Sequence, residues 1–368
     1  MTGQRREGPP SGDDAGPSWR ASSAAIPRQG ETILGKYEVE AVLGAGGMGV
    51  VLAVRHVQLG QRYAIKFVKS EAAADPTVVA RFIREARAAV ALSSEHVAKV
   101  FDVGTLENGA PFMLMEHLAG VDLGQVLERE GPLGIPEAVG AILQACEAIA
   151  EAHALGIVHR DLKPSNLFVS KRADGTRIIK VLDFGISKTV DTPAGQGLTQ
   201  SGALMGSPGY MSPEQVRSPK TVDARTDVWA LGVILFELLT RRSPFAGDTI
   251  GETFARILSD PPEPIRNLRP DVPETLAAVI AQCLERDPAR RLQSVAALAP
   301  LLLPFAPREA ELSVDRIRRI SRGAESEGST TGRSNTATFA APSTGDGFGF
   351  GHPGSGSGRV PTASVWQT

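Results

Sequence analysis

The sequence predicts an α+β fold in two lobes, a small β-rich half followed by a larger helical half. Three observations predict it. From Tyr37 to about Leu118, short runs of β-branched and aromatic residues read as strands. After Gly120 the apolar residues recur mostly at helical spacing over longer segments. Both textures lie in one block of about 270 residues, flanked by ends rich in Gly, Pro and Ser that lack hydrophobic periodicity.

Residues 1–33 read as a disordered leader. The structured block, 34–306, opens with strands at Tyr37–Leu43, Val50–Val57 and Tyr63–Val68. A helix over about Thr77–Ala91 follows, because Phe82, Ala86, Ala89 and Val90 fall near helical spacing. Strands at Val100–Thr105 and Phe112–His117 complete a first lobe, 34–118. The second lobe, 119–306, holds helices at Pro136–Leu155, Asp227–Thr240 and Pro273–Leu284, with a strand-like run at Ile178–Leu182. Residues 307–368 read as a flexible tail: Glu325–Ser343 is dense in Ser, Thr and Gly, and Gly347–Gly358 alternates Gly with Phe, Ser and Pro. A cleft between two lobes is a natural ligand site.

Composition narrows the function. A formal net charge of −2 gives no reason to expect a nucleic-acid or membrane-surface partner. Cys146 and Cys283 have no paired spacing, so they form neither a disulfide framework nor a zinc site and fit a reducing, cytoplasmic compartment. Arg5 and Arg6 are followed by no apolar stretch, which argues against a signal peptide. Val228–Leu239 contains Glu237, and Val295–Ala306 holds Pro300 and Pro304. Both fall short of the roughly 20 residues of a membrane span.

Four stretches carry chemistry. Leu43-Gly44-Ala45-Gly46-Gly47-Met48-Gly49-Val50-Val51 has the G-x-G-x-x-G spacing. A dinucleotide-binding turn would need a helix next, but Val50–Val54 is strand-like. A Walker loop would need G-K-[ST], which is absent. What remains is a glycine-rich hairpin, either a plain turn or one whose backbone approaches a polyphosphate. Seventeen residues past Gly49 stands Lys66, whose ammonium can neutralise phosphate charge if a carboxylate holds it. Glu85, on the Arg81–Ala86 helical stretch, is the candidate. The third stretch is His159-Arg160-Asp161-Leu162-Lys163-Pro164-Ser165-Asn166, and the fourth is Asp183-Phe184-Gly185. Phosphoryl transfer needs positioning and charge compensation more than covalent help. Asn166 and Asp183 offer hard oxygens to Mg²⁺, Asp161 can accept a hydroxyl proton, and Lys163 would stand beside it.

With these residues in hand, the sequence resembles the eukaryotic-type (Hanks-type) protein kinase family, and most of all its bacterial Ser/Thr branch. The signature is a known pattern, and it spans roughly Tyr37 to Leu303. The resemblance implies a two-lobed kinase fold and transfer of the γ-phosphate of ATP to Ser/Thr hydroxyls of protein substrates, with Mg²⁺ or alternatively Mn²⁺. It implies that Gly44, Gly46 and Gly49 cover the phosphates and that Lys66 contacts them while paired with Glu85. Asp161 would be the catalytic base and Lys163 its companion, with Asn166 and Asp183 as metal ligands. Leu43, Val51 and Ala64 would line the nucleotide site, Met115 would be the gatekeeper, and the backbone of Glu116 and Leu118 would hold adenine. Ser212-Pro213-Glu214 stands where the family has Ala-Pro-Glu, with Glu214 paired to Arg291. Asp227 would cap the buried helix that anchors the catalytic loop. His159 and Phe184 are packing residues, and the other histidines lack metal-ligand spacing.

Lys163 resembles the Ser/Thr-specific form, and Ser207 keeps the hydroxyl of the family's usual threonine. Arg160 would bind a phosphate on the segment Asp183–Glu214, where Thr199 and Ser201 are the candidate autophosphorylation sites. A homodimer would allow autophosphorylation in trans. The competing readings are a pseudokinase acting as an ATP-binding scaffold and a small-molecule kinase of related fold. The presence together of Lys66, Glu85, Asp161, Asn166 and Asp183 argues against the first. Ser212-Pro213-Glu214 and the preceding segment argue against the second.

Overall fold

Side chains alternate across a pleated strand, and this alternation builds the first lobe. Strands β1 (Thr32–Ile33), β2 (Tyr37–Ala45), β3 (Gly49–His56), β4 (Arg62–Val68), β5 (Val100–Thr105) and β6 (Pro111–Glu116) form an antiparallel sheet in the order β1-β2-β3-β4-β6-β5. One face buries Val50, Leu52, Val54, Ile65, Phe67, Phe112 and Leu114. The opposite face buries Val68 and Met113 against Phe82 and Ala86. These last two lie on helix α2 (Pro76–Ala91), which follows the single turn α1 (Ser70–Ala73). Asp75 caps α2 by accepting the Thr77 N–H, and Pro76 occupies the first helical position, where no N–H is needed. Lys66 shares the parity of Val68, so it too faces the α2 side.

The computed structural model describes residues 27–46, 49–106, 109–172, 174–184, 208–218 and 222–330. The chain divides into two units, Met1–Glu327 and Gly328–Thr368. All elements named here belong to the first, apart from the last three residues of the final helix.

The second lobe begins at β7 (Gly120–Asp122), followed by α3 (Leu123–Glu130) and α4 (Ile135–Ala154). Strands β8 (Leu167–Lys171) and β9 (Arg177–Val181) join β7 in a small antiparallel sheet. Helices α5 (Pro213–Arg217), α6 (Arg225–Thr240), α7 (Ile250–Ser259), α8 (Ile265–Leu268), α9 (Glu274–Cys283), α10 (Val295–Leu302) and α11 (Ala310–Thr330) follow. Helices α4 and α6 are apolar almost all round, as central helices must be, and bury Ile142, Cys146, Ile149, Trp229, Ile234 and Leu238. Among the described residues, no helix is long and apolar enough to cross a membrane.

Gly232 lets α6 and α9 touch. A Cβ there would stand 2.5 Å from Cys283 Cβ, an atom that no rotamer change can move. Gly232→Ala gains about 1 kcal/mol of helix propensity but overpacks at a cost of roughly 1–3 kcal/mol. The expected net result is a melting temperature a few degrees lower. A melting temperature that holds or rises would show that the contact relaxes without cost.

Three expectations need correction. Residues 27–33 of the supposed leader are ordered: Gly30 N–H donates to Val39 O at 2.9 Å, Thr32 and Ile33 pair with Glu38 and Tyr37, and Ile33 packs on the sheet core. The tail is helical at its start. Ala310, Val314 and Ile317, spaced four and three apart, form a buried stripe on the second-lobe core. The charged stretch Asp315-Arg316-Ile317-Arg318-Arg319 hides that stripe, and Arg316 Nη1 bonds Glu95 at 2.9 Å and Glu147 at 3.0 Å. Finally, Asp227 is not the cap of α6, which starts two residues earlier behind Ala224.

Candidate functional site

Lys66 lies on β4, opposite Val51 on β3 and Met113 on β6. Its Nζ meets Glu85 Oε1, on α2, at 2.6 Å and Asp183 Oδ1 at 2.7 Å. Three remote stretches thus converge on one ammonium. Burial works against the charge on Lys66, but the Asp183 and Glu85 carboxylates outweigh it and hold the amine above the usual lysine range. Burial pushes Glu85 up to about 7, with the Lys66 charge opposing. Asp183 stays below the ordinary carboxylate range because Lys66 overcomes its desolvation. Asp183 also has φ of 49°, in the left-handed region that side-chain-bearing residues rarely adopt.

The loop between α4 and β8 carries the second group. Asn166 Nδ2 donates to Asp161 O at 2.8 Å and to Asp161 Oδ2 at 3.3 Å, which leaves its carbonyl oxygen as the remaining acceptor. Lys163 Nζ stands 3.4 Å from Asp161 Oδ2. Leu182 N–H donates to Asn166 O at 2.9 Å, which seats Asp183 beside this loop. His159 is fully buried; its Nε2 bonds Leu182 O at 3.0 Å and its ring packs on Phe184.

Asp227 supports the loop from beneath. Its buried carboxylate accepts the N–H groups of His159 and Arg160, both at 2.9 Å, and bonds His153 Nε2 at 2.8 Å. These bonds hold Arg160 at φ of 66°. Burial raises the carboxyl, but the His153 bond and the other donors outweigh it and bring it below the ordinary range. Asp227→Asn turns an amide N–H toward donors and is expected to cost about 2 kcal/mol at neutral pH. A carboxyl depressed in the fold stabilises above its free pKa and loses that contribution as pH falls through the folded value. The gap between wild type and variant should be full at pH 7 and narrow below about pH 4. Denaturant unfolding at pH 7, 5 and 3 measures it, and a gap independent of pH would rule out the charge as the cause.

The glycine-rich hairpin closes through Gly46 N–H to Gly49 O at 2.9 Å; Gly47 and Met48 lie outside the described residues. Gly49 is required by packing, because a Cβ there would meet Phe67 O at 2.6 Å. Among the described residues, a Cβ at Gly44 or Gly46 would meet no atom within 4 Å, so these two leave room on the open side. Leu43 is half exposed, Ala64 is buried opposite Met115, and Glu116 ends β6, with Leu118 following in the connection between lobes.

Downstream, Ser212 and Gln215 form a reciprocal capping box on α5. Gln215 Nε2 donates to Arg160 O at 2.9 Å, tying α5 to the loop. Arg291, its side chain fully buried, grips Glu214 with two bonds of 2.6 and 2.9 Å. Its guanidinium lies 5.2 Å from the ring centre of Trp229, which stacks on Phe245. Thr199, Ser201, Ser207 and Gly185 lie outside the described residues.

This arrangement, a lysine clamped by two carboxylates beside an Asp–Lys–Asn loop, is matched by a family. Residues 37–301 fit the model of the protein kinase domain. The chain belongs to the protein kinase family. Similar curated proteins are bacterial: serine/threonine-protein kinase pkn3 of Myxococcus xanthus is 41% identical over 79% of this chain and 52% of its own length. Serine/threonine-protein kinase PknB of Mycolicibacterium smegmatis is 38% identical over 71% of this chain and 41% of its own length. The chain therefore spans about half the length of the curated relatives it matches. Among solved structures, the PknI kinase domain of Mycobacterium tuberculosis superposes with a TM-score of 0.58 at 26% identity, covering 76% of this chain and all of that one.

Sequence reasoning passed over several residues in this kinase domain. His153 was not singled out, although it lies on α4 at the position whose ring reaches Asp227. Tyr210 Oη donates to Glu237 at 2.6 Å, which gives a partner to the charge within the apolar run Val228–Leu239. Glu95, His96 and Glu147 come together, with the two carboxylates already bonded by Arg172 and Arg316. Lys180, a buried lysine on β9, was passed over as well.

Proposed function

We propose that the chain is a serine/threonine protein kinase that transfers the γ-phosphate of ATP to Ser and Thr hydroxyls of proteins. The observation that carries this reading is the meeting of Lys66, Glu85 and Asp183 beside Asp161, Lys163 and Asn166. Lys66, pinned by Glu85, holds the α/β-phosphates under Gly44, Gly46 and Gly49. Adenine lies between Val51, Ala64 and Leu43, against Met115, with the backbone of Glu116 and Leu118 as its hydrogen-bonding edge. Asn166 and Asp183 present hard oxygens suited to Mg²⁺, with Mn²⁺ as the alternative. A metal ion held by Asn166 and Asp183 would offset the negative charge of the phosphates.

Asp161 orients the acceptor hydroxyl and takes its proton, while Lys163 compensates charge on the transferring group. Lys163 and Ser207 favour a Ser/Thr acceptor over Tyr. Phosphate on Thr199 or Ser201 docking at Arg160 supplies the switch, acquired in trans within a homodimer. The two buried free thiols, Cys146 and Cys283, support a cytoplasmic setting, where ATP and protein substrates also reside.

Incubation of the purified chain with labelled ATP and Mg²⁺, beside Asp161→Asn and Lys66→Met, tests the reading. Label on Ser or Thr in the wild type alone is the expected outcome. Nucleotide binding without turnover under any condition would return the scaffold reading, and robust phosphotyrosine would overturn the Ser/Thr assignment.

A further inference from the structure

Lys180 is a charged group buried where the phosphoryl chemistry has no use for it. It lies on β9, three residues before Asp183, and is only 7% exposed. An ammonium withdrawn from water is costly unless it is paired. Its Nζ donates to Glu116 Oε2 at 2.9 Å and, at the limit of a hydrogen bond, to Val97 O at 3.5 Å. Glu116 is the last residue of β6, from which the chain crosses between lobes.

The pair sits inside a wider knot. Glu116 N–H donates to Lys99 O at 2.8 Å, and Glu116 Oε2 accepts Lys99 N–H at 3.3 Å. Val181, next to Lys180, donates its N–H to His96 O at 2.7 Å, and Val97 bridges Val181. Three stretches therefore meet at one carboxylate: the segment after α2, the lobe connection, and the strand that leads to Asp183. Moving Glu116 relative to β9 would break the Lys180 bond and leave a buried ammonium with no carboxylate.

We propose that Lys180 is a positioning residue for ATP: by holding Glu116, it sets the backbone edge that receives adenine at a fixed separation from Asp183. This rests on the reading of the site as an ATP site. Adenine at one end and the phosphates at the other must be satisfied together, and the Lys180–Glu116 pair is a direct side-chain tie between the lobe connection and the strand leading to Asp183. The tie acts on the base and not on the phosphates. Guanine presents a carbonyl where adenine presents an amine, so a loosened edge also discriminates less between them.

The test compares the full chain with Lys180→Met, Glu116→Gln and the double variant, using ATP, GTP and inorganic tripolyphosphate with Mg²⁺. Lys180→Met is expected to raise KM for ATP about tenfold, a change of about 1.4 kcal/mol, while kcat changes by less than about threefold. The preference for ATP over GTP should shrink, tripolyphosphate should bind as before, and the double variant should be no worse than Lys180→Met alone. An unchanged or lower KM would overturn the proposal, as would tripolyphosphate affinity falling in step with ATP. A wild type that binds no ATP would instead remove the functional reading itself. Should Lys180→Met fail to fold, Lys180→Arg and Glu116→Gln carry the same comparison, with KM held in the first and raised in the second.

Discussion

Asp161→Asn is expected to leave nucleotide binding intact and to lower kcat by about 10²–10⁴-fold, the usual contribution of a positioned general base. The substitution keeps the shape of the side chain and the Asp161 carbonyl that accepts Asn166 Nδ2. It removes the oxygen that faces Lys163 at 3.4 Å with a full negative charge. The loss should therefore fall on kcat, with the affinity for ATP within about threefold of wild type. Single-turnover transfer to a Ser/Thr peptide, beside equilibrium binding of ATP, separates the two. If kcat stays within tenfold, the proton is accepted elsewhere and Asp161 does no more than orient the hydroxyl.

The second large effect is on stability. Glu214→Gln is expected to destabilise the second lobe by about 3–5 kcal/mol, because it leaves the buried Arg291 guanidinium without its anion. Arg291 keeps bonds to Glu285 O at 2.9 Å and Arg225 O at 2.8 Å, but neither carries a full charge. For a domain of this size, the shift corresponds to roughly 10 °C in melting temperature. Replacing both partners with Met should cost much less than breaking the pair from one side. A cost below about 1 kcal/mol for Glu214→Gln would mean that water or the backbone carbonyls already satisfy Arg291.

The parts that were legible in the sequence are those written in local spacing. Strands such as Tyr63–Val68 and the helix beginning near Thr77 carry their period in consecutive residues, and their ends agree with β4 and α2 to within a residue. The candidate residues were legible because Asp161, Lys163 and Asn166 lie on one short loop, and because Glu214 and Arg291 stand in recognisable stretches. Illegible were the pairings whose partners are distant and individually ordinary. Nothing local marks Lys180 as different from any strand lysine; only burial and the approach of Glu116, 64 residues earlier, reveal it. The stripe Ala310, Val314, Ile317 was masked because a helix with one narrow apolar seam reads as polar on average. The cap role that the resemblance suggested for Asp227 was not legible as wrong, because nothing local shows that its carboxylate is drawn to two N–H groups of another segment.

The packing of Trp229 against both Phe245 and the Arg291 guanidinium has a practical consequence. The chain holds three tryptophans, and the other two, Trp19 and Trp366, lie outside the described residues. With both of these changed to Phe, the tryptophan emission of the chain comes from a single indole beside the Arg291 guanidinium. The emission of that indole shifts to the red when water reaches it, so the second lobe contains an intrinsic optical gauge. It reports, without added dye, whether a substitution anywhere in the chain has opened the helical core.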